Sequence, residues 1–351
     1  MSQPSSFKAV VAALAGNIVI SIAKFVAFFL SGSGAMLSEA IHSVADTGNQ
    51  ALLFVGLRRA AREKDPEFPY GYGAERFVFG ILSAAGIFFV GSGVTVYHGV
   101  HSLLNPKLPE IGVVTFAVLG VSTVIELISI SVAIGAINKT RGDQPFLRYL
   151  LHGADPAAVA IVFEDGAALL GLVLAALGIA LSYWTGNGLW DAMGSTLIGV
   201  LLGFVALFLA GENRELLLGK AIPERDRERF REIVATTSGV RHVHDIKTRT
   251  LTPETYKLKA EITLDEGYLA SRLDAVLPPA GTLTPEDRAK ALLALADASA
   301  VAVSDLIDEV ERRVKAAIPE AAHIDLEVDH TDDEVRRSRS SSAAARAATG
   351  S

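Results

Sequence analysis

The sequence predicts an α-helical membrane protein with six transmembrane helices, followed by a small cytoplasmic α/β domain of the ferredoxin-like (αββαβ) type. Half of the 351 residues are hydrophobic, and the mean hydropathy of +0.37 is higher than soluble proteins of this length usually reach. Apolar segments long enough to cross a hydrocarbon core of about 30 Å recur six times. After residue 210 the composition becomes charged and alternating, which indicates a domain outside the membrane.

The six apolar segments predict a transmembrane domain over residues 1–212. Each holds about 20 residues or more. At a rise of about 1.5 Å per residue, a helix of this length spans a hydrocarbon core of about 30 Å. Links of only a few residues follow the first and the fifth segments, so these pairs are expected to form tight helical hairpins. The segments are Phe7–Leu30, Ala35–Leu57, Phe77–Leu103, Val113–Ile137, Ala157–Tyr183 and Leu189–Ala210.

Lysine and arginine residues predict the orientation of these helices. The loops after the first, third and fifth segments contain a single basic residue, Lys107. The loops after the second and fourth segments contain Arg58, Arg59, Arg62, Lys64, Arg76, Lys139, Arg141 and Arg148. By the positive-inside rule both termini lie in the cytoplasm. We therefore expect a multi-pass protein of the cell inner (plasma) membrane.

Residues 213–330 predict the cytoplasmic domain. A charged helix precedes two alternating segments, His242–Leu251 and Thr255–Leu264, which are typical of strands. A helix at Val303–Ala317 then precedes a last strand at His323–Val328. This order is typical of a two-layer α/β domain with its helices on one face of the sheet.

Two further segments are set apart by composition, one within this domain and one after it. Residues 265–300 contain three prolines and form a partly helical insertion between the second strand and the helix that follows. Residues 331–351 lack large apolar side chains, so we expect them to be a disordered tail.

Charged residues inside the second apolar segment are candidate functional residues, because a charge inside a bilayer is costly. His42 and Asp46 are four residues apart and therefore share one helix face. An imidazole nitrogen and a carboxylate oxygen make half of a site for a divalent cation such as Zn²⁺. The alternative is a structural hydrogen-bonded pair between helices.

A second charged group, Glu164 and Asp165, lies in the fifth apolar segment. Two ionised carboxylates this close repel each other unless a cation neutralises them. Adjacent helical residues point about 100° apart, so only one of the two is expected to face the site directly. The small residues that follow favour Asp165. The sequence thus predicts a metal site that joins His42 and Asp46 to this acidic pair.

Other polar residues in the apolar segments leave their roles open. Glu126 is a candidate proton carrier, a further metal ligand, or a partner for a polar group such as Asn17. Asp191 begins the sixth segment, where an N-terminal cap of that helix is the simplest interpretation. His98 and His101 lie near the outer end of the third segment and favour an interfacial position.

Together these features resemble the cation diffusion facilitator family. The resemblance rests on the six spans, the HxxxD of His42 and Asp46, the charged pair in the fifth span, FPYGYGAERF at Phe68–Phe77 and SGVRHVHDIKTR at Ser238–Arg249. It covers about residues 7–265 and 300–330. It implies a homodimeric secondary transporter that exports a divalent cation from the cytoplasm in exchange for protons. His42 stands at the family's selectivity position, which implies zinc rather than manganese.

The fifth span departs from the family pattern. The family carries a His or Asp four residues before its key Asp, whereas Ile161 stands at that distance from Asp165 and cannot bind a metal. Glu164 is the candidate substitute. FED and PYGYGAERF resemble the divergent branch that includes the mitochondrial-type zinc transporters.

The resemblance also implies a second metal site in the cytoplasmic domain. His244 matches a position that binds metal in some members of the family. His330 and Asp332, just after the last strand, would complete that site across the dimer, with His242 or Glu261 nearby. The alternative is that the domain only dimerises.

The expected partners follow from this interpretation. They are a divalent cation, most simply Zn²⁺ as the transported substrate rather than a cofactor, together with protons, membrane lipid and a second copy of the chain. We expect no nucleic acid. A membrane metal sensor is an alternative function. An intramembrane metalloenzyme would need HExxH or a nucleophile–base pair within a span, and EAIHSVAD is not that motif.

Overall fold

A computed structural model describes residues 4–110, 112–141, 145–152, 156–274 and 284–329. The chain divides into two compact units, residues 1–218 and residues 219–351. The predicted tail at 331–351, together with His330, lies outside the described residues.

The first unit contains six long helical rods at the six predicted segments. The third rod is α-helical at both ends with a π-helical stretch between them, and a short helix, α6, lies in the loop before the fifth rod. The helices are α1 (Pro4–Ser31), α2 (Gly34–Ala60), α3 (Glu75–Gly86), the π-helical Ile87–Gly93, α4 (Val94–Leu104), α5 (Val113–Thr140), α6 (Phe146–His152), α7 (Pro156–Thr185) and α8 (Leu189–Leu218).

Four of these rods are long and apolar enough to cross a membrane by length and composition: Glu75–Leu104, Val113–Lys139, Ile161–Thr185 and Leu189–Leu218. Ala15–Ser31 is a shorter apolar helix among the described residues. The rod α2 is less apolar because it carries acidic, imidazole and arginine side chains. The rods pack against one another as a helical bundle, the architecture that the sequence predicts for the transmembrane domain.

Small residues bring α8 close to the third rod. A Cβ atom at Gly99 would lie 2.5 Å from the hydroxyl oxygen of Thr196, and one at Gly199 would lie 2.8 Å from the backbone nitrogen of Val96. Ser92 in the π-helical stretch donates a hydrogen bond to the carbonyl oxygen of Gly199, at 2.7 Å. Close backbone approach of this kind is how helices associate tightly in lipid.

The second unit is a sheet packed against helices. Its elements are α9 (Glu224–Ala235), β1 (Val240–Val243), β2 (Lys247–Thr252), β3 (Thr255–Leu264), α10 (Glu266–Leu273), α11 (Pro285–Ala317) and β4 (Ala321–Val328). The long strand β3 is antiparallel to β1 and β2 and parallel to β4. Buried apolar side chains of β3, α9 and α11 form its core, among them Phe230, Leu258, Ile262, Val310 and Val314.

The predicted strand His242–Leu251 is divided into two. Its residues fall into β1 and β2, with His244–Ile246 between them outside the regular ladder. The backbone N–H of His244 still bonds to the carbonyl oxygen of Glu261, at 2.7 Å, while its side chain turns to Thr263. With β1 and β2 counted as one interrupted strand, the helix–strand–strand–helix–strand order matches the predicted αββαβ domain.

The predicted insertion at 265–300 is helical where the structure describes it. It contains α10 and the first half of α11, which begins at Pro285 rather than at Val303. Thr284 caps α11, because its side chain accepts a hydrogen bond from the backbone N–H of Asp287. Likewise α8 runs on to Leu218, six residues past the expected limit of the transmembrane domain at 212.

Candidate functional site

The helix α2 carries one polar stripe. Glu39, His42, Asp46 and Asn49 follow one another at intervals of three, four and three residues, which places them on one face of the helix. Glu39, His42 and Asn49 are buried, and the Asp46 side chain is 25% exposed. α2 begins at Gly34, because the Ser33 side chain accepts a hydrogen bond from the backbone N–H of Met36.

His42 has an unsatisfied imidazole ring. Its Nε2 atom lies 3.4 Å from the Oδ2 atom of Asp46, and neither ring nitrogen has a hydrogen-bond partner among the described residues. Buried polar atoms are normally paired, so an orphaned imidazole calls for an explanation. Nε2 of His42 and Oδ2 of Asp46 lie at ion-pair distance without forming a hydrogen bond. Free ring nitrogens are what a metal ligand or a proton acceptor offers.

The two adjacent carboxylates of α7 turn to different helices. Glu164 accepts a hydrogen bond from Nδ2 of Asn49 in α2, at 2.8 Å. Asp165 accepts one from the Ser129 hydroxyl in α5, at 2.6 Å. The expectation that only one of the pair faces the polar stripe agrees with this geometry, but the residue that reaches α2 is Glu164 and not Asp165. Asn49 also accepts a hydrogen bond from Ser83 of α3.

Several carboxylates lie within electrostatic range of one another. Asp46 interacts with Glu164 and Asp165. Glu126 of α5 interacts with Asp46 and Asp165. Three helices, α2, α5 and α7, therefore direct acidic side chains toward a common region, and Glu126 belongs to it. Such a concentration of negative charge attracts cations.

These side chains do not form a closed metal site in this arrangement. In the described part of the chain, no three histidine, aspartate or glutamate side chains converge closely enough to hold a metal ion. His42 and Asp46 are brought together, whereas Glu164 and Asp165 are held by Asn49 and Ser129. Tetrahedral zinc binding requires ligand distances of about 2 Å, so the carboxylates would have to leave these hydrogen bonds to complete a site.

Lys24 of α1 was not among the predicted site residues. Its Nζ atom donates a hydrogen bond to Oε2 of Glu39 at 3.0 Å, and the two side chains are 1% and 0% exposed. The other oxygen of Glu39, Oε1, has no hydrogen-bond partner among the described residues. The signal was present in the sequence, since Lys24 is a charged residue within the first apolar segment, six residues before its end at Leu30.

Comparison with known proteins identifies the family. Residues 10–218 match the model of the cation efflux transmembrane domain, and residues 222–273 match that of the cation efflux protein cytoplasmic domain. The chain belongs to the cation efflux family. The predicted membership of the cation diffusion facilitators is therefore confirmed, and the chain is one of a family of transporters rather than of enzymes.

Named relatives cover most of this chain. The proton-coupled zinc antiporter SLC30A9, mitochondrial, is 35% identical in Xenopus laevis and 34% identical in Homo sapiens, over 92% of this chain in both cases. The chain spans 59% and 58% of the length of those proteins. Metal tolerance protein C4 of Arabidopsis thaliana is 34% identical over 92% of this chain and 73% of its own length. The cation-efflux pump FieF of Shewanella oneidensis is 28% identical over 68% and 75%.

In this cation efflux protein Asp191 has a different role from the predicted one. Its carboxylate accepts hydrogen bonds from the Ser33 hydroxyl, at 2.5 Å, and from the backbone N–H of Gly34, at 2.6 Å. It therefore caps α2 rather than its own helix α8. The short link after α1 places the start of α2 beside the start of α8, where a carboxylate stabilises the exposed N–H groups and the helix dipole. The ring of His98 lies beside the same helix start, near Gly34.

The candidate site in the cytoplasmic unit is described only in part. His244 pairs through Nε2 with the Thr263 hydroxyl, at 2.7 Å. The ring of His242 lies 6.3 Å from that of His244, measured between ring centroids. His330 and Asp332 lie outside the described residues, so the remainder of that site stays a prediction.

Proposed function

We propose that this chain is a secondary transporter that exports Zn²⁺ from the cytoplasm in exchange for protons. The observation that carries the proposal is the buried His42 imidazole, which has no hydrogen-bond partner among the described residues and lies one turn from Asp46. Divalent-cation transport is supported by the family, and proton-coupled zinc exchange is supported by the names of the zinc antiporters among its relatives.

The proposed transport ligands are His42, Asp46, Asp165 and Glu164. One imidazole and three carboxylates supply a nitrogen and oxygen set that suits Zn²⁺ and offsets its charge. Each carboxylate now held by Asn49 or Ser129 would exchange that hydrogen bond for the metal. Because a ligand must lose its proton to bind, protons and metal compete for the same atoms. Protonation from the more acidic side then releases the metal.

Electrostatics favours coupling to protons. Moving Zn²⁺ outward against a potential of ~100 mV, negative inside, costs about 4.6 kcal/mol, at ~2.3 kcal/mol for each charge. One proton returning through the same site recovers half of this electrical cost, and a second makes the exchange electroneutral. Glu126, within electrostatic range of Asp46, is well placed to carry such a proton.

The proposal extends to orientation and assembly. The basic loops after α2 and α5 support an orientation with both termini in the cytoplasm, and the membrane that we propose is the plasma membrane. The match of residues 222–273 to the family's cytoplasmic domain supports a homodimer. His244, His330 and Asp332 are the proposed ligands of a second metal site in that domain.

Flux into proteoliposomes tests the proposal. The full chain is reconstituted with a zinc-sensitive dye inside the vesicles, and a pH gradient is imposed. We expect gradient-driven Zn²⁺ flux that His42→Ala and Asp46→Ala abolish. His101→Ala, which removes an exposed histidine of α4, is the matched control and should retain flux. Absence of flux in the unmodified protein, or unchanged flux in both site variants, would overturn the proposal; metal binding without flux would favour a sensor.

A further inference from the structure

The ion pair of Lys24 and Glu39 joins α1 to α2 in the interior of the membrane unit. Its partners are separated by 3.0 Å, and neither side chain is more than 1% exposed. Removing two charges from water is costly, and a well-packed apolar pair at such a position is often at least as stable. A role in packing alone is therefore a poor explanation for a lysine at this place.

The pair lies next to the proposed transport ligands. Glu39 precedes His42 by three residues on the polar stripe of α2. Electrostatic interactions link Lys24 to both His42 and Asp46. Only one oxygen of the Glu39 carboxylate is occupied by the lysine, and Oε1 is buried without a hydrogen-bond partner. Without the ammonium group, Glu39 would be one more anionic ligand beside His42.

We propose that Lys24 is a positioning residue that holds Glu39 out of the metal site and thereby sets metal selectivity. The inference rests on the proposed transport function of His42 and Asp46. With Glu39 neutralised, the site keeps a small set of ligands that includes one imidazole, which suits tetrahedral Zn²⁺. With Glu39 released, an additional carboxylate raises the number of oxygen ligands and the negative charge, which suits octahedral Mn²⁺.

The ion pair also keeps the positive charge of Lys24 from repelling the metal. If Glu39 lost its charge while Lys24 kept its own, the free ammonium would face Asp46 and would compete with any entering dication. The two single substitutions therefore have different expected signatures. Loss of the lysine changes the ranking of metals, whereas loss of the glutamate weakens the binding of all of them.

The test is a charge cycle of Lys24→Met, Glu39→Gln and the double variant in the full chain. Equilibrium binding of Zn²⁺ and of Mn²⁺ to detergent-purified protein is measured beside vesicle flux. We expect Lys24→Met to raise Mn²⁺ affinity relative to Zn²⁺ by about tenfold, the effect of one modest extra contact. Its Zn²⁺ flux should show a lower KM and a lower maximal rate, because a tighter site releases metal more slowly. Glu39→Gln should weaken both metals alike.

The double variant distinguishes a role of Lys24 in metal selectivity from a role that only stabilises the packing of α1 against α2. It leaves no buried charge unpaired, so it is expected to fold even if a single variant does not. Its Zn²⁺ to Mn²⁺ affinity ratio should return to that of the unmodified protein. A folded Lys24→Met with an unchanged ratio, or a folded double variant with an altered one, would overturn the inference. Absence of Zn²⁺ flux in the unmodified protein would instead overturn the proposed function, while the binding ratios still decide the role of Lys24.

Discussion

Asn49 in α2 donates a hydrogen bond to Glu164 in α7 across 2.8 Å. The same amide accepts a hydrogen bond from Ser83 in α3, so one side chain connects three of the membrane helices. Asn49 thus holds an acidic residue of the proposed site in place without closing a metal site. A hydrogen bond from a neutral amide is weaker than a bond to a divalent cation. Glu164 can therefore leave Asn49 when a cation enters the site.

The first prediction concerns this connection. Asn49→Ala leaves Glu164 buried without its partner, and we expect it to lower the free energy of unfolding by about 1–3 kcal/mol. Ser83→Ala is the matched control, because it removes only the second bond of Asn49 and leaves Glu164 paired, so its effect should be smaller. Thermal unfolding of the purified variants measures both. Equal losses of unfolding free energy in the two variants would show that the hydrogen bond from Asn49 to Glu164 does not contribute to stability.

The second prediction concerns the start of α2. Asp191→Ala removes the acceptor for the Ser33 hydroxyl and the Gly34 N–H, and we expect a loss of about 1–2 kcal/mol, typical of a helix cap with dipole stabilisation. Asp191→Asn keeps an oxygen acceptor and should lose less. Unfolding midpoints in detergent measure the difference. A loss in Asp191→Asn as large as in Asp191→Ala would argue against capping and for the charge itself.

The third prediction concerns pH and the cytoplasmic unit. Burial raises the pKa of Asp226 above its ordinary value, so the ionised carboxylate at neutral pH destabilises the folded state. Asp226→Asn removes this effect and should raise the unfolding midpoint at pH 7. The advantage should shrink as the pH falls through the raised pKa, and it should vanish once Asp226 is protonated in both the folded and unfolded states.

Glu228→Gln is the control for that measurement, since it lies in the same helix α9 and is exposed. It should show no comparable gain at pH 7. A benefit of Asp226→Asn that persists unchanged into acid would mean that the amide stabilises the unit through a new hydrogen bond rather than through the lost charge.

The long helices were predictable from the sequence because hydropathy sums over about 20 residues and tolerates single exceptions. The predicted second segment began and ended within three residues of α2. The break between β1 and β2 was not predictable in the same way. Alternation in HVHDIKTRTL lapses at His244 and Asp245, which are two consecutive polar residues, but so short a lapse does not by itself end a strand. Pairing with β3 shows that the regular ladder is interrupted there.

The site was predictable by residue type and less so by direction. His42, Asp46, Glu164 and Asp165 stand out because each is ionisable within an apolar helix. Which of two adjacent acids faces α2 depends on the rotation of α7, and the small residues after Asp165 do not determine that rotation. The role of Asp191 depends on which helix start lies beside it, which is a tertiary relationship. Lys24 was identifiable by the same criterion, because it is also an ionisable residue within an apolar helix.

The last prediction uses a glycine that shapes the surroundings of Glu39. A Cβ atom at Gly171 of α7 would lie 2.4 Å from Oε1 of Glu39, so Gly171→Ala must displace the carboxylate that Lys24 holds. We expect this variant to weaken the ion pair and to shift the ratio of Zn²⁺ to Mn²⁺ affinity in the same direction as Lys24→Met. Gly166→Ala is the matched control five residues earlier in α7, because its nearest neighbour there is a methyl carbon at 3.9 Å. Metal titrations on the two variants give the answer directly. If both alanines leave the ratio unchanged and both proteins fold, the position of the Glu39 carboxylate does not govern which metal is bound.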